Sequence, residues 1–181
     1  MRRVSVVGTS GSGKTTFAGV LADKLGVPHI ELDAIYHQPG WVPLPDAEFV
    51  SAVTEAVLGD AWVVDGNYSI ARDIVWELAD TVVWLDYPRR VAMYRIIKRT
   101  LWRGVMRQEL WNGNREKLRN IFKRDPMENI IVWAWTTHPD RRRRYAAMTR
   151  DPQWRHITFV RLRTRAASRT FMAEAVRTDL E

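Results

Sequence analysis

Short apolar runs alternate with stretches of helical period along most of the chain. Val4-Ser5-Val6-Val7 reads as a β-branched strand that Gly8 to Gly13 interrupts, and from Lys14 to Leu25 the apolar residues Phe17, Val20, Leu21 and Leu25 recur on one side of a helix. Gly26-Val27-Pro28 ends that helix. His29-Ile30-Glu31-Leu32-Asp33 predicts a second strand with Asp33 at its carboxyl end, followed by a Pro/Gly-rich loop through Pro45. Asp46 is a good N-cap for a helix marked by Phe49, Val50, Val53, Val57 and Leu58. Gly59-Asp60 then turns into a third strand, Ala61-Trp62-Val63-Val64, which Asp65 closes. A short helix over 70–78, a fourth strand over 81–85 and a turn at Asp86-Tyr87-Pro88 lead into a longer helix to about Trp102.

Residues 103–125 carry Gly104 and Asn112-Gly113-Asn114 among many arginines, the pattern of a mobile excursion with short helices. Two helices follow, over 127–136 and 140–148, separated at His138-Pro139 because a proline restricts the residue before it. A last strand over 154–162 and a last helix over 168–176 complete the pattern. Regular strand–helix alternation implies an α/β fold, a parallel sheet with helices on both faces and right-handed crossovers. Ligands of such sheets bind beyond the carboxyl ends of the strands, which is where Gly8–Thr15, Asp33, Asp65 and Asp86 fall.

Composition narrows the class. With 181 residues, 46% of them hydrophobic, and no cysteine, the chain is expected to form about one domain, with an excursion at about 100–125. Thiol catalysis, disulfides and cysteine-ligated zinc are excluded, and the histidines at 29, 37, 138 and 156 lack metal-ligand spacing. No apolar run approaches the ~18 residues of a membrane span or the apolar region of a signal peptide, so a cytoplasmic protein with no membrane partner is expected. Charge is uneven: residues 1–86 hold 5 Lys/Arg against 12 Asp/Glu, a net −7, whereas 87–181 hold 23 against 9, a net +14. Arginine outnumbers lysine 23 to 5. An anionic ligand, nucleic acid or a merely Arg-rich composition each accounts for this balance.

Gly8-Thr9-Ser10-Gly11-Ser12-Gly13-Lys14-Thr15 matches G-x-x-x-x-G-K-S/T in full and lies between a predicted strand and a predicted helix. Its glycines let successive N–H groups turn inward onto phosphate oxygens, and the helix beginning near Lys14 adds its positive end. Lys14 is the candidate for the β- and γ-phosphates and Thr15 a candidate Mg²⁺ ligand. Asp65, an acid at the end of an apolar strand, is the second Mg²⁺ candidate or, before Gly66, a turn residue. Asp86 is the weaker case, since it serves equally well at a helix start.

Asp33 bears on the acceptor. A hydroxyl acceptor benefits from a carboxylate that takes its proton, whereas an acceptor phosphate needs none. The same residue also fits the outer shell of Mg²⁺ or a turn cap. Arg95 and Arg99 lie four apart on one helical face, before Arg103, Arg107, Arg115 and Arg119. Such arginines either close over phosphates or form a solvated surface. Arg141-Arg142-Arg143-Arg144 cannot all face one ligand on a helix and reads as solvated surface. Trp62, Trp84, Trp133, Trp135 and Trp154 read as core. Trp41, with Tyr36 and His37, either lines an acceptor pocket or packs its loop.

With these residues in place the chain resembles the adenylate-kinase-like P-loop kinases, and more closely the DNA topology modulation protein family. The resemblance rests on GTSGSGKTT at 8–16, Leu32-Asp33 with Pro39-Gly40-Trp41-Val42, residues 62–69 (WVVDGNYS), and Leu85-Asp86-Tyr87-Pro88-Arg89. It implies a three-layer P-loop NTPase fold with a five-stranded parallel sheet in order 2-3-1-4-5, a helical Arg-rich lid, and ATP with Mg²⁺ as cofactors. It also implies phosphate contacts for Arg95 and Arg99 and nucleotide contacts along Gly8–Thr16, Thr16 included. Asn67-Tyr68 departs from the Phe-Pro-Arg segment of nucleoside-monophosphate kinases, and Asp33 from their Thr-Gly-Asp pattern, which leaves the acceptor open.

The expectation is ATP/Mg²⁺-dependent phosphoryl transfer to a small nucleotide-like, nucleoside-like or other hydroxyl acceptor. Lys14, Asp33, Arg95 and Arg99 are its catalytic candidates and Thr15 and Asp65 its metal ligands. The alternatives are an NTP-binding regulator that holds nucleic acid through its basic half, and an ATPase without a small acceptor.

Overall fold

The computed structural model describes residues 1–106, 109–115 and 129–175. Five strands, β1 (Arg3–Gly8), β2 (His29–Glu31), β5 (Trp62–Asp65), β6 (Thr81–Leu85) and β7 (Thr158–Leu162), form a parallel sheet in the order β2-β5-β1-β6-β7. Counting these strands alone, the order is the expected 2-3-1-4-5; β3 (His37–Gln38) and β4 (Val42–Pro43) make a separate antiparallel hairpin.

The period-2 alternation sorts the sheet's side chains into two cores. Val4, Val6, Val63, Val83 and Leu85 face α1 (Lys14–Leu25) and α7 (Arg165–Glu174), where Phe17, Leu21 and Phe171 meet them. Val7, Trp62, Val64, Val82 and Trp84 face the other way, onto α3 (Asp46–Ala56), α4 (Ser69–Leu78) and Tyr145 and Met148 of α6 (Ile130–Met148). Leu21 and Phe49 are wholly buried, and each stabilises the fold by about 2 kcal/mol. Polar groups on this second face are matched: the buried Trp76 indole donates to Ser5 Oγ at 3.2 Å and that of Trp62 to Val57 O at 3.1 Å.

Four elements differ from the sequence reading. The strand at His29 stops at Glu31, and Leu32–Tyr36 forms a short helix, α2, so Asp33 sits in a helix's first turn and not at a strand's end. The two helices expected around His138-Pro139 are one, α6, with Pro139 inside it. Contacts on either side of the proline outweigh its local cost: Arg89 stacks on Trp135 at 3.7 Å, His138 Nε2 lies 3.3 Å from Tyr87 O, and Arg142 pairs with Asp86 at 2.9 Å. Trp154 closes a 3₁₀ turn, Pro152–Trp154, ahead of β7, while Trp135 is half exposed and lies outside the core. Last, α7 begins at Arg165, where the Thr164 side chain caps it.

The long helix α5 (Arg89–Val105) ends near the expected place. Of the Arg-rich excursion, Glu109 and Arg115 form a bridge around a 3₁₀ turn, Trp111–Gly113, that is tied down against α2 and the β3–β4 hairpin. Arg107 and Arg119 lie outside the described residues. No helix among the described residues is long and apolar enough to cross a membrane.

Asp80 joins the start of β1 to β6 at the edge away from the site. It accepts the N–H groups of Arg2 and Arg3 at 2.7 and 2.8 Å and the Thr81 hydroxyl at 2.6 Å. Burial alone would raise its carboxyl, but the bonds from Thr81, Arg3 and Arg2 outweigh burial and hold it below the usual carboxylate value. A depressed folded value means that the stabilisation is present above the unfolded value and is lost as pH falls through the folded one. Asp80→Asn is therefore expected to cost about 1–2 kcal/mol near pH 7, with the gap to wild type closing below about pH 4. Urea unfolding at pH 7 and pH 3 checks both.

Candidate active site

The loop between β1 and α1 is shaped by contacts on three sides. Gly11 has a φ of 76°, and a Cβ there would lie 2.4 Å from Ala92 O and 2.5 Å from Ile96 of α5, so only glycine fits. Gly13, at φ 86°, turns the chain into α1. The floor of the loop is held by Arg95, whose guanidinium donates to Ser12 O at 2.6 Å while stacking on Tyr87 at 4.6 Å. The Thr9 and Ser12 hydroxyls are buried with no partner among the described residues. A curled backbone at the N-terminus of α1 offers the N–H groups that phosphate sites use.

Lys14 reaches back over this loop, with Nζ 3.5 Å from Thr9 O. Burial lowers its ammonium from the usual value, Asp33 and Asp65 act against that, and Arg141 and Arg99 reinforce it. Lys14 thus lies within electrostatic reach of both candidate carboxylates and of arginines from α5 and α6. Thr15 Oγ1 donates to Asp65 Oδ2 at 2.7 Å, and the buried Asp65 keeps His29 on its other oxygen at 3.0 Å. The hydrogen bond to Asp65 raises the imidazole of His29, with burial opposing it. A hydroxyl and a carboxylate side by side beneath a phosphate loop are hard oxygen donors of the kind Mg²⁺ prefers, so Thr15 and Asp65 fit that ion.

Asp33 faces the loop from α2. Tyr68 donates its hydroxyl to Asp33 Oδ1 at 2.7 Å and lies 3.5 Å from His37 Nε2. Burial, then the charge of Asp33, push the Tyr68 phenol far up, so it stays a proton donor. Burial pushes His37 down, towards the neutral imidazole; its ring meets Trp41 edge-on at 5.2 Å and stacks on Trp111 at 6.1 Å. Trp41 is bound at both ends to the strap from Glu109 to Arg115, with its N–H donating to Asn114 Oδ1 at 2.8 Å and its indole to Arg115 O at 3.2 Å. Thr16 is exposed on α1 beside Thr15, and Ser10 is half-buried at the loop's crest. Asp86 stands apart, its buried carboxylate paired with Arg142 and Arg161 at 2.9 and 2.6 Å.

Three contributors went unread in the sequence. Asn67 bonds both backbone groups of Gly8, donating to Gly8 O at 2.5 Å and accepting from Gly8 N at 3.4 Å, which prolongs the β5–β1 pairing past Asp65. Tyr145 of α6 donates to the same Asn67 oxygen at 2.8 Å, joining α6 to the phosphate loop. Their signal is faint: Asn67 follows Asp65 by two residues, and nothing local marks Tyr145. His29, on the strand beside β5, was the third.

No protein-family model and no curated protein sequence matches the chain. Solved structures do match in fold. A shikimate kinase from Acinetobacter baumannii in complex with shikimate superposes with a TM-score of 0.55 at 16% identity, over 99% of this chain and 93% of that one. A shikimate kinase from Bacteroides thetaiotaomicron gives 0.53 at 13% identity, covering 99% of both chains. A gluconokinase from Sinorhizobium meliloti 1021 gives 0.52 at 18% identity, over 99% and 95%. The chain therefore has the three-layer P-loop kinase fold.

Removing the Asn67 amide should loosen the loop's first residue without touching a ligand. Asn67→Ala is expected to cost about 1–3 kcal/mol of stability, from the unpaired Gly8 and Tyr145 groups. Thermal and urea unfolding measure the loss.

Proposed function

We propose that the protein is an ATP- and Mg²⁺-dependent kinase that phosphorylates a hydroxyl group of a small-molecule acceptor. The observation that carries this reading is that two carboxylates act on the Lys14 charge: Asp65, which is bonded to Thr15, and Asp33, which is not. A metal pair alone would suit an ATPase; a second carboxylate across the loop suits an acceptor with a proton to lose.

In this reading the Gly8–Thr15 backbone holds the phosphates, and Lys14 neutralises the charge that develops on the γ-phosphoryl group. Mg²⁺, held by Thr15 and Asp65, supplies further charge neutralisation when bound. Tyr68 occupies Asp33 Oδ1 and so leaves Oδ2 for the acceptor hydroxyl. The acceptor oxygen forms its bond to the γ-phosphorus as the bond from that phosphorus to the β–γ bridging oxygen breaks; the hydroxyl proton passes to Asp33, and ADP leaves. Arg95 sets the loop through Ser12 O, and Arg99 adds positive charge beside Lys14. The kinase fold shared with the shikimate kinases and the gluconokinase supports the reading, as does the full match to the phosphate-loop pattern over residues 8–15.

The test is γ-labelled ATP, Mg²⁺ and a pooled metabolite extract, following the label. Wild type is expected to label a metabolite, Lys14→Ala to label none, and Asp33→Asn to bind ATP normally while turnover falls about 10²–10⁴-fold. Label appearing only as inorganic phosphate, or full turnover in Asp33→Asn, would overturn the acceptor assignment.

A further inference from the structure

Asn67, Tyr68 and Tyr145 also line a cavity of about 110 Å³ between β1 and helices α4 and α6. Three arginines line it: Arg72 from α4, and Arg141 and Arg144 from α6. The four-arginine run divides by helical phase. Arg142 and Arg143 are spent on Asp86 and Asp140. Arg141 and Arg144, three residues apart and so on one face, turn to the cavity. Arg141 stacks on Trp133 at 4.4 Å, which holds its planar guanidinium in place, and no carboxylate among the described residues pairs with either of them. Arg72 pairs only with its half-exposed neighbour Asp73, at 3.1 Å.

Three cations line one partly enclosed space, Arg144 at its exposed rim, and an anion among them offsets their mutual repulsion. The space is smaller than the ~150 Å³ cavity that accepts a benzene ring. It admits a carboxylate or a phosphate group and excludes a whole nucleoside. Guanidinium forks match the paired oxygens of both groups. Tyr68 lines this space and donates to Asp33 Oδ1, which puts that carboxylate one side chain away, where it accepts a hydroxyl and repels an anion.

We propose that Arg141 and Arg144, with Arg72 opposite, form the anion subsite of the acceptor site, so that the acceptor is a small hydroxy-acid or polyol phosphate whose charged group lies among these arginines while its hydroxyl meets Asp33. This rests on the kinase reading for its chemistry, but the anion subsite itself does not require turnover.

The test uses matched compounds of three to seven carbons: hydroxy-carboxylates, polyol monophosphates and the corresponding neutral polyols, at constant ionic strength. ADP release by wild type is expected with charged compounds and not with neutral ones; whichever charged set is used identifies the group as carboxylate or phosphate. Arg144→Gln should raise the acceptor KM at least 10-fold while kcat changes less than about 2-fold and the KM for ATP stays the same. Arg144→Lys should recover part of the loss. Binding is measured separately, as the shift in melting temperature of Lys14→Ala with each compound, because this variant cannot turn over. A shift with the charged compounds that disappears when Arg141→Gln or Arg144→Gln is added upholds the subsite even if no compound is phosphorylated, which would then count against the kinase reading alone. Equal turnover of neutral polyols, an unchanged KM in Arg144→Gln, or no shift with any charged compound would overturn the proposal.

Discussion

The absence of a side chain at Gly11 is the constraint on which the rest of the molecule depends. The phosphate loop touches the backbone of α5 at Ala92, closer than any Cβ allows. That contact fixes where α5 starts relative to β1, and Arg95, one turn along, then reaches Ser12 O from the same helix. With α5 set, Tyr87 and Asp86 at its head become the anchors for α6 through His138 and Arg142. A loop that seems built only to bind phosphate is also a point of helix packing, and its glycines answer to both demands.

Charge is handled differently on the two sides of that loop. Below it, Asp65 is buried and has both oxygens engaged, by Thr15 and by His29, so the carboxylate is fully hydrogen-bonded within the fold. Across the loop, Asp33 has one oxygen bonded by Tyr68. Arg142 and Arg161 converge on Asp86, and this saturated cluster braces β6, β7 and α6. Arg141 and Arg144 point away from it. The same run of four arginines therefore contributes both to scaffold and to cavity wall, and the helical turn decides which.

The sheet and its order were legible because β-branched and aromatic runs such as Val4–Val7 and Thr81–Leu85 carry their period in a few residues, and the phosphate loop because its glycines are local necessities. Pro139 misled the reading: a proline's preference is worth about 3 kcal/mol, and His138, Arg89 and Arg142 together outweigh it through partners some fifty residues away. Asp33 was legible as a carboxylate near the site but not as a member of a helix, since Leu32–Tyr36 is a five-residue turn with no cap or apolar period to mark it. Asn67 and Tyr145 depend on a contact between residues 78 apart, which no local pattern records.

The strap from Glu109 to Arg115 was expected to be a loose excursion, yet six hydrogen bonds join it to the chain between Glu31 and Trp41, through Trp111, Asn112, Asn114 and Arg115. At about 0.5–1.5 kcal/mol net for each bond, detaching it would cost several kcal/mol. Among the described residues the strap and the β3–β4 hairpin therefore form one paired unit, and a change at Asn112 or Asn114 is felt directly at His37 and Trp41.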